Sequence, residues 1–124
     1  MDKKEKKSRK LNTLLSDRAV EYILTRDLED LGHLDEEQIA QRLRVDLPSL
    51  LNTFESHQKI TLRRFIIREK IHRALFILDK TPVVSIENLS RQLGFPQTRD
   101  FISEFTGYFH VAPDRYRELR AESL

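Results

Sequence analysis

The chain has 124 residues, of which 39% are hydrophobic and 34% charged, so it can bury a core beneath a heavily charged surface. Three Gly, four Pro and no Cys argue against a turn-rich β-sandwich and exclude disulfides, thiol catalysis and cysteine-ligated zinc. No apolar run approaches the roughly 18 residues of a membrane span, and the Lys-rich start lacks the apolar segment of a signal peptide. We therefore expect a soluble, cytoplasmic, mostly helical protein.

The net charge of +2 conceals four blocks of different sign. Residues 1–10 carry six Lys and Arg against two acids, and residues 11–57 carry four against ten. Residues 58–80 carry seven against two, and residues 81–124 carry five against six. A charged terminal block is typical of a disordered, solvated tail, which we expect for residues 1–11, although such a block also attracts nucleic-acid phosphates. The second basic block lies inside a predicted helix and indicates a polyanionic partner more strongly.

Apolar residues at helical spacing and capping signals predict three helices in the first half of the chain. They are a helix over 13–31 ended by Gly32, a helix over 36–43 capped by Asp35 and Gln38, and a helix capped by Asp46 that runs to about residue 57.

Residues 61–79 form the longest predicted helix, and it carries two apolar stripes. One stripe consists of Ile67, Ile71, Ala74 and Leu78, and the opposite one consists of Leu62, Phe65, Ile66, Phe76 and Ile77. A helix packed against a single bundle needs only one stripe. We therefore expect a linker helix over 61–80 between two small bundles, with four basic side chains exposed along it: Arg63, Arg64, Arg68 and Lys70.

Three more helices follow, and no strand pattern occurs. They are a helix over 86–93 capped by Ser85 and ended by Gly94, a helix over about 97–108, and a last helix opened by Pro113. The predicted fold is all-α, with about seven helices.

A short helix, a three- or four-residue turn and a second helix occur twice, over residues 36–57 and 86–108. The buried positions of the two copies correspond, with Leu43 matching Leu93 and Phe54 matching Phe105. Helical hairpins of this kind are common in small bundles. They are also the form of helix-turn-helix units, which present a recognition helix to a DNA major groove.

At these residues the chain resembles a known family. The strongest match is a C-terminal pattern made up of Ile86, Leu89, Gly94-Phe95, Phe101, Phe105, Tyr108-Phe109, Val111, Pro113, Tyr116 and Arg117. A weaker match in the first half involves Leu34, Ile39-Ala40, Leu43, Val45, Leu50, Phe54 and Phe65 to Ala74. Over residues 34–119 the sequence resembles the DNA-binding domain of AraC/XylS-type bacterial transcription regulators.

The resemblance implies a fold and a set of partners. Two helix-turn-helix subdomains, over 12–60 and 81–124, would be joined by the linker helix and contact two successive major grooves of double-stranded DNA. The implied activity is sequence-specific regulation of transcription, often alongside RNA polymerase. The domain would act as a monomer, without a cofactor, a metal or a membrane partner, and no small-molecule ligand can be inferred.

The chain departs from the family pattern where DNA contacts are expected. Asn52 and Glu55 replace frequent basic residues of the first recognition helix, and Ser103, Thr106 and Gly107 do so in the second. Lys59 and His110 replace the glycines that commonly follow these helices.

Position nevertheless identifies candidate DNA contacts. The base-reading candidates are Ser49 and Asn52 on the first recognition helix and Gln97, Thr98, Arg99 and Ser103 on the second. The phosphate-binding candidates are Arg63, Arg64, Arg68 and Ser85.

An enzyme is not indicated, because the four His residues are scattered and neither a phosphate loop nor a nucleophile–base arrangement is present. The alternative function is a helical protein-interaction module on the same scaffold with weakened or lost DNA binding. The net charge of −6 over residues 11–57 motivates this alternative, since a phosphate-binding surface is expected to be basic.

Overall fold

The computed structural model describes the backbone of residues 3–81 and 83–123, and the side chains of residues 11, 13–81 and 83–123. This part of the chain contains helices and no strands. The helices are α1 (Lys3–Leu24), α2 (Leu28–His33), α3 (Glu36–Leu43), α4 (Leu47–Gln58), α5 (Leu62–Lys80), α6 (Ile86–Gln92), α7 (Thr98–Phe109) and α8 (Pro113–Glu122). The all-α prediction is confirmed, with eight helices in the described part of the chain rather than about seven.

The additional helix arises because the helix predicted over 13–31 is broken after Leu24. The Thr25 hydroxyl donates a 2.8 Å hydrogen bond to the carbonyl of Glu21, which helps to satisfy the end of α1. The Asp27 carboxylate accepts a 2.8 Å hydrogen bond from the amide of Asp30 and so caps α2. Gly32 accordingly lies inside α2 and does not end the first helix.

The first helix also begins earlier than the sequence predicts. Residues 3–11 are part of α1, where a disordered tail was expected for residues 1–11. Lys, Arg and Glu have high helix propensity, and this segment can extend a helix whose later turns are packed. Residues 1 and 2 lie outside the described residues.

The chain forms two compact units. The first contains the residues up to Arg26 together with Leu34–Ile66, and the second contains Asp27–His33 together with the residues from Ile67 onward. α2 therefore belongs to the second unit, although the boundary predicted at residue 60 places it in the first. α5 begins in the first unit and continues into the second.

In the first unit, α1 packs against α3 and α4, and α3 packs against α4. The rings of Phe54 and Phe65 meet edge to face at 5.4 Å between centroids. The Gln58 side chain donates a 2.7 Å hydrogen bond to the hydroxyl oxygen of Ser16, which joins α4 to α1. The apolar side chains buried in this unit include Ala19, Ile23, Ile39, Leu43, Leu50, Phe54, Leu62, Phe65 and Ile66.

In the second unit, α6 packs against α2 and α7, and α7 packs against α8. Its core consists of Ile71, Ala74, Leu78, Ile86, Leu89, Leu93, Phe101 and Phe105. Each of the two apolar stripes predicted on α5 contributes to the core of one unit. Leu62, Phe65 and Ile66 are buried in the first unit, and Ile71, Ala74 and Leu78 are buried in the second. Phe76, predicted on a buried stripe, is 63% exposed.

Candidate nucleic-acid interface

A left-handed residue and a backbone hydrogen bond define the turn between α3 and α4. Arg44 adopts the left-handed conformation (φ 59°) directly after α3, and the amide of Val45 donates to the carbonyl of Ala40 at 3.0 Å. The Asp46 carboxylate then accepts a hydrogen bond from the amide of Ser49 at 3.0 Å, which begins α4. This is a helix-turn-helix connection of three residues, in which α3 is the first helix of the motif and α4 the second.

The polar face of α4 is exposed because the opposite, apolar face of the helix packs in the core of the first unit. Leu50 and Phe54 are fully buried, and the exposed residues of the helix include Ser49, Asn52 and Glu55. Ser49 and Asn52 therefore lie on the exposed side of α4, the helix that the sequence predicts to be the first recognition helix. α4 contains neither Lys nor Arg.

The N-terminus of α4 carries an acidic group. Hydrogen bonds from the Ser49 hydroxyl and the Ser49 amide hold the pKa of the Asp46 carboxyl below its usual range. Asp46 therefore offers the Ser49 hydroxyl an acceptor within the protein, and a base contact by Ser49 would compete with it.

The turn between α6 and α7 contains the left-handed glycine. Gly94 has φ 78°, and the amide of Phe95 donates to the carbonyl of Ser90 at 3.1 Å, which closes the end of α6. Ser85 caps the start of α6 by accepting from the amide of Asn88 at 3.2 Å. The predicted caps and the helix-ending role of Gly94 are confirmed.

α7 presents an exposed polar face opposite its aromatic face. Phe101 and Phe105 are fully buried, with their ring centroids 5.9 Å apart. Arg99 and Ser103 lie four residues apart and are both exposed, as is Gln97, the residue before the helix. Thr98 is half-buried.

The predicted phosphate-binding residues differ in exposure. Arg63 is exposed, whereas Arg64 and Arg68 are half-buried. Ser85 is exposed, but its side-chain oxygen accepts the capping hydrogen bond, so only its hydroxyl proton remains to donate to a phosphate.

Lys70 was expected to be exposed along the linker helix, and this expectation is wrong. The residue is only 9% exposed, and its ammonium lies 5.8 Å from the centroid of the Phe95 ring. Burial lowers the pKa of Lys70. Its stem fills space beside the α6–α7 turn, where a cation also interacts favourably with the C-terminal end of α6.

Two residues of the C-terminal sequence pattern anchor α8. The Tyr116 hydroxyl donates a 2.5 Å hydrogen bond to the carboxylate of Asp79, which also pairs with Arg120 at 2.9 Å. The Arg117 guanidinium donates to the backbone carbonyl of Val84 and pairs with Asp114 at 2.6 Å. Sequence reasoning missed Asp79, because nothing local to it indicates a partner 37 residues later.

Comparisons with known proteins give the fold a name. The chain superposes on a transcriptional regulator with an AraC-type DNA-binding domain from Chromobacterium violaceum with a TM-score of 0.73 at 20% identity, covering 86% of this chain and 96% of that one. The fold is that of the AraC-type DNA-binding domains. The DNA-binding domain of the global transcriptional factor AdpA, solved in complex with a target DNA, shares this AraC-type fold, with a TM-score of 0.71 at 21% identity over 83% of this chain and 94% of that one.

At the level of sequence the likeness is weaker. The chain is 25% identical to the Msm operon regulatory protein of Streptococcus mutans serotype c over 80 residues, which is 64% of this chain. The match spans 28% of the length of that protein. No protein-family model matches the chain.

Within the described residues, features of a membrane-spanning helix or of a metal site are absent. None of the helices there has the length and apolar character needed to cross a membrane. No group of three or more His, Asp or Glu side chains in the same part of the chain is placed to hold a metal ion.

Proposed function

We propose that the chain is a sequence-specific, double-stranded-DNA-binding transcription regulator of bacterial, AraC/XylS type. The observation that carries this proposal is the arrangement of α4 and α7. Each is the second helix of a helix-turn-helix, each buries two apolar side chains in its own unit, and each exposes polar side chains on the opposite face. The DNA-bound AdpA domain, which has the same fold, supports this proposal.

In this function each recognition helix enters a major groove, and the grooves are successive ones. Base edges would be read by Arg99, Gln97 and Ser103 on the second unit and by Asn52 on the first, with smaller contributions from Thr98 and Ser49. Arg99 is the strongest candidate, because it lies in the first turn of α7 and a guanidinium matches the two acceptors of guanine.

Phosphate contacts would position the protein without reading sequence. The candidates are Arg63, Arg64, Arg68 and Ser85, together with the basic residues 3–10 at the start of α1. Because α4 lacks Lys and Arg, the first unit would depend on these other elements for its phosphate contacts.

A salt titration tests the proposed function. The full chain is titrated against a duplex selected from random DNA and against a scrambled duplex. If about four to six phosphates are neutralised, log K should fall with log salt with a slope of about −4 to −5. Deleting residues 1–10 should flatten the slope and leave the preference between the duplexes unchanged. An absence of binding even at low salt would overturn the proposal.

A protein-interaction module is the second candidate function, and one observation favours it. The exposed face of α4 carries Glu55, with the Asp46 carboxylate at its N-terminus, and both groups would repel phosphates. In this case the titration would show no binding, and a protein partner would be sought.

The cellular setting follows from the proposed regulatory function. The protein would act in the cytoplasm as a monomer on each site, without catalytic activity, and RNA polymerase would be its protein partner at a promoter.

A further inference from the structure

Glu55 occupies an unusual position for a carboxylate. It lies on the exposed side of α4, three residues after Asn52, while Leu50 and Phe54 fill the core on the other side. Within the described part of the chain, its carboxylate forms no ion pair. If α4 enters a major groove with this side of the helix toward the DNA, the negative charge faces either a phosphate or a base edge.

The chemistry of a carboxylate restricts which base edge it can face. An ionised carboxylate can only accept hydrogen bonds. In the major groove, guanine offers the acceptors N7 and O6 and thymine offers O4, whereas cytosine and adenine carry amino groups. Adenine places an acceptor, N7, beside its amino group, and this pair suits the amide of Asn or Gln. Cytosine, with its N4 amino group alone, is therefore the base edge that suits Glu55.

We propose that Glu55 is a specificity-determining residue that accepts a hydrogen bond from a cytosine N4 amino group, close to an adenine contacted by Asn52. This inference rests on the proposed DNA-binding function. Residues three apart in an α-helix are neighbours, separated by about 4.5 Å along the axis. Base pairs are stacked about 3.4 Å apart, so the two side chains reach base pairs that are adjacent or nearly so.

The proposal gives a reason for a residue that otherwise weakens DNA binding. A carboxylate facing phosphates would lower affinity for every sequence equally. A carboxylate facing a base edge lowers affinity most where it meets guanine or thymine acceptors and least where it meets cytosine. Glu55 would thus act as much by rejecting the wrong bases as by binding the right one.

The test uses the full chain and a duplex selected from random DNA. Each base pair in the part of the duplex contacted by the first unit is changed in turn to each of the three other base pairs. Wild type is compared with Glu55→Gln and Glu55→Ala. A matched control is Glu37→Gln, which removes the same charge from an exposed position on α3. Thermal unfolding of each variant checks that the fold is retained.

We expect wild type to prefer cytosine at one position by about tenfold, as for a typical mismatch of 1.4 kcal/mol. Both Glu55 variants should lose most of that preference, and Glu37→Gln should keep it. A uniform gain in affinity for all duplexes on Glu55→Gln would place Glu55 against phosphates and overturn the inference, as would unchanged preferences. Failure of wild type to bind any duplex at low salt would instead overturn the proposed function itself.

Discussion

The carbonyl oxygen of Gly32 in α2 lies against Gly94, at the turn before α7, so closely that a Cβ on Gly94 would be 1.9 Å from it. Gly94 also has a positive φ of 78°, which side chains disfavour. The two glycines let the α2 backbone approach the helix-turn-helix of the second unit directly. The position of this turn thus depends on a helix that precedes it by more than fifty residues.

Gly94→Ala should therefore destabilise the protein by about 2 kcal/mol or more, because steric overlap adds to the strain of a left-handed alanine. Gly107→Ala is the matched control, since a Cβ there meets nothing within 4 Å and the residue lies inside α7. It should stabilise the protein by about 0.5–1 kcal/mol. Urea unfolding measures both, and equal effects of the two substitutions would contradict the packing described.

The hydrogen bond between Tyr116 and Asp79 leads to a second prediction. Tyr116→Phe removes the hydroxyl that donates to the Asp79 carboxylate and should cost about 1–2 kcal/mol of unfolding free energy. Tyr22→Phe is the control, because the described residues show a cation–π contact to the Tyr22 ring and no hydrogen bond from its hydroxyl. If thermal unfolding shows no difference between the two variants, the Tyr116 hydroxyl does not anchor α8.

Lys70 makes stability depend on pH in a defined direction. Burial lowers the pKa of Lys70 in the folded protein below the roughly 10.4 of an unfolded lysine. At pH values between these two pKa values, the unfolded chain binds more protons than the folded chain. The unfolding free energy of wild type relative to Lys70→Met should therefore rise with pH across this interval. Urea unfolding from pH 8 to pH 11 measures it, with the exposed Lys80→Met as the control. A difference that is constant or falls with pH would contradict the burial of Lys70.

The parts of the fold that could be predicted from the sequence are those determined by neighbouring residues. The capping box of Asp35 and Gln38 and the left-handed Gly94 are local features, and both occur as expected. The break between α1 and α2 was missed because Thr25 and Asp27 can occupy a helix interior as well as its ends. The burial of Lys70 was missed because it requires Phe95, which arrives through tertiary packing.

In the candidate interface, too, local features could be predicted from the sequence, and features that depend on tertiary packing could not. The exposed faces of α4 and α7 could be predicted because each lies opposite a buried phenylalanine, Phe54 or Phe105. The partial burial of Thr98 and Arg64 could not, since it depends on which elements pack beside them. For Glu55, the sequence shows an unusual residue type, and the structure adds that its side chain is exposed on the polar face of α4.

Arg99 and Arg64 should have different roles on DNA, since Arg99 is placed to read a base and Arg64 to contact a phosphate. Arg99 is exposed in the first turn of α7, where recognition-helix side chains reach base edges most readily. Arg99→Ala should cost about 1–3 kcal/mol on the selected duplex and relax the preference at one base pair, because it removes a bidentate contact to guanine. We expect the second unit to supply most of the discrimination in this way.

Arg64→Ala should behave differently, because a phosphate contact carries no sequence information. It should weaken binding to the selected and the scrambled duplex by about the same factor and reduce the salt slope by about one. Binding of both variants to both duplexes at two salt concentrations separates the roles. If Arg99→Ala lowers the two affinities equally, Arg99 contacts only the backbone, and discrimination by the second unit would have to come from Gln97 or Ser103.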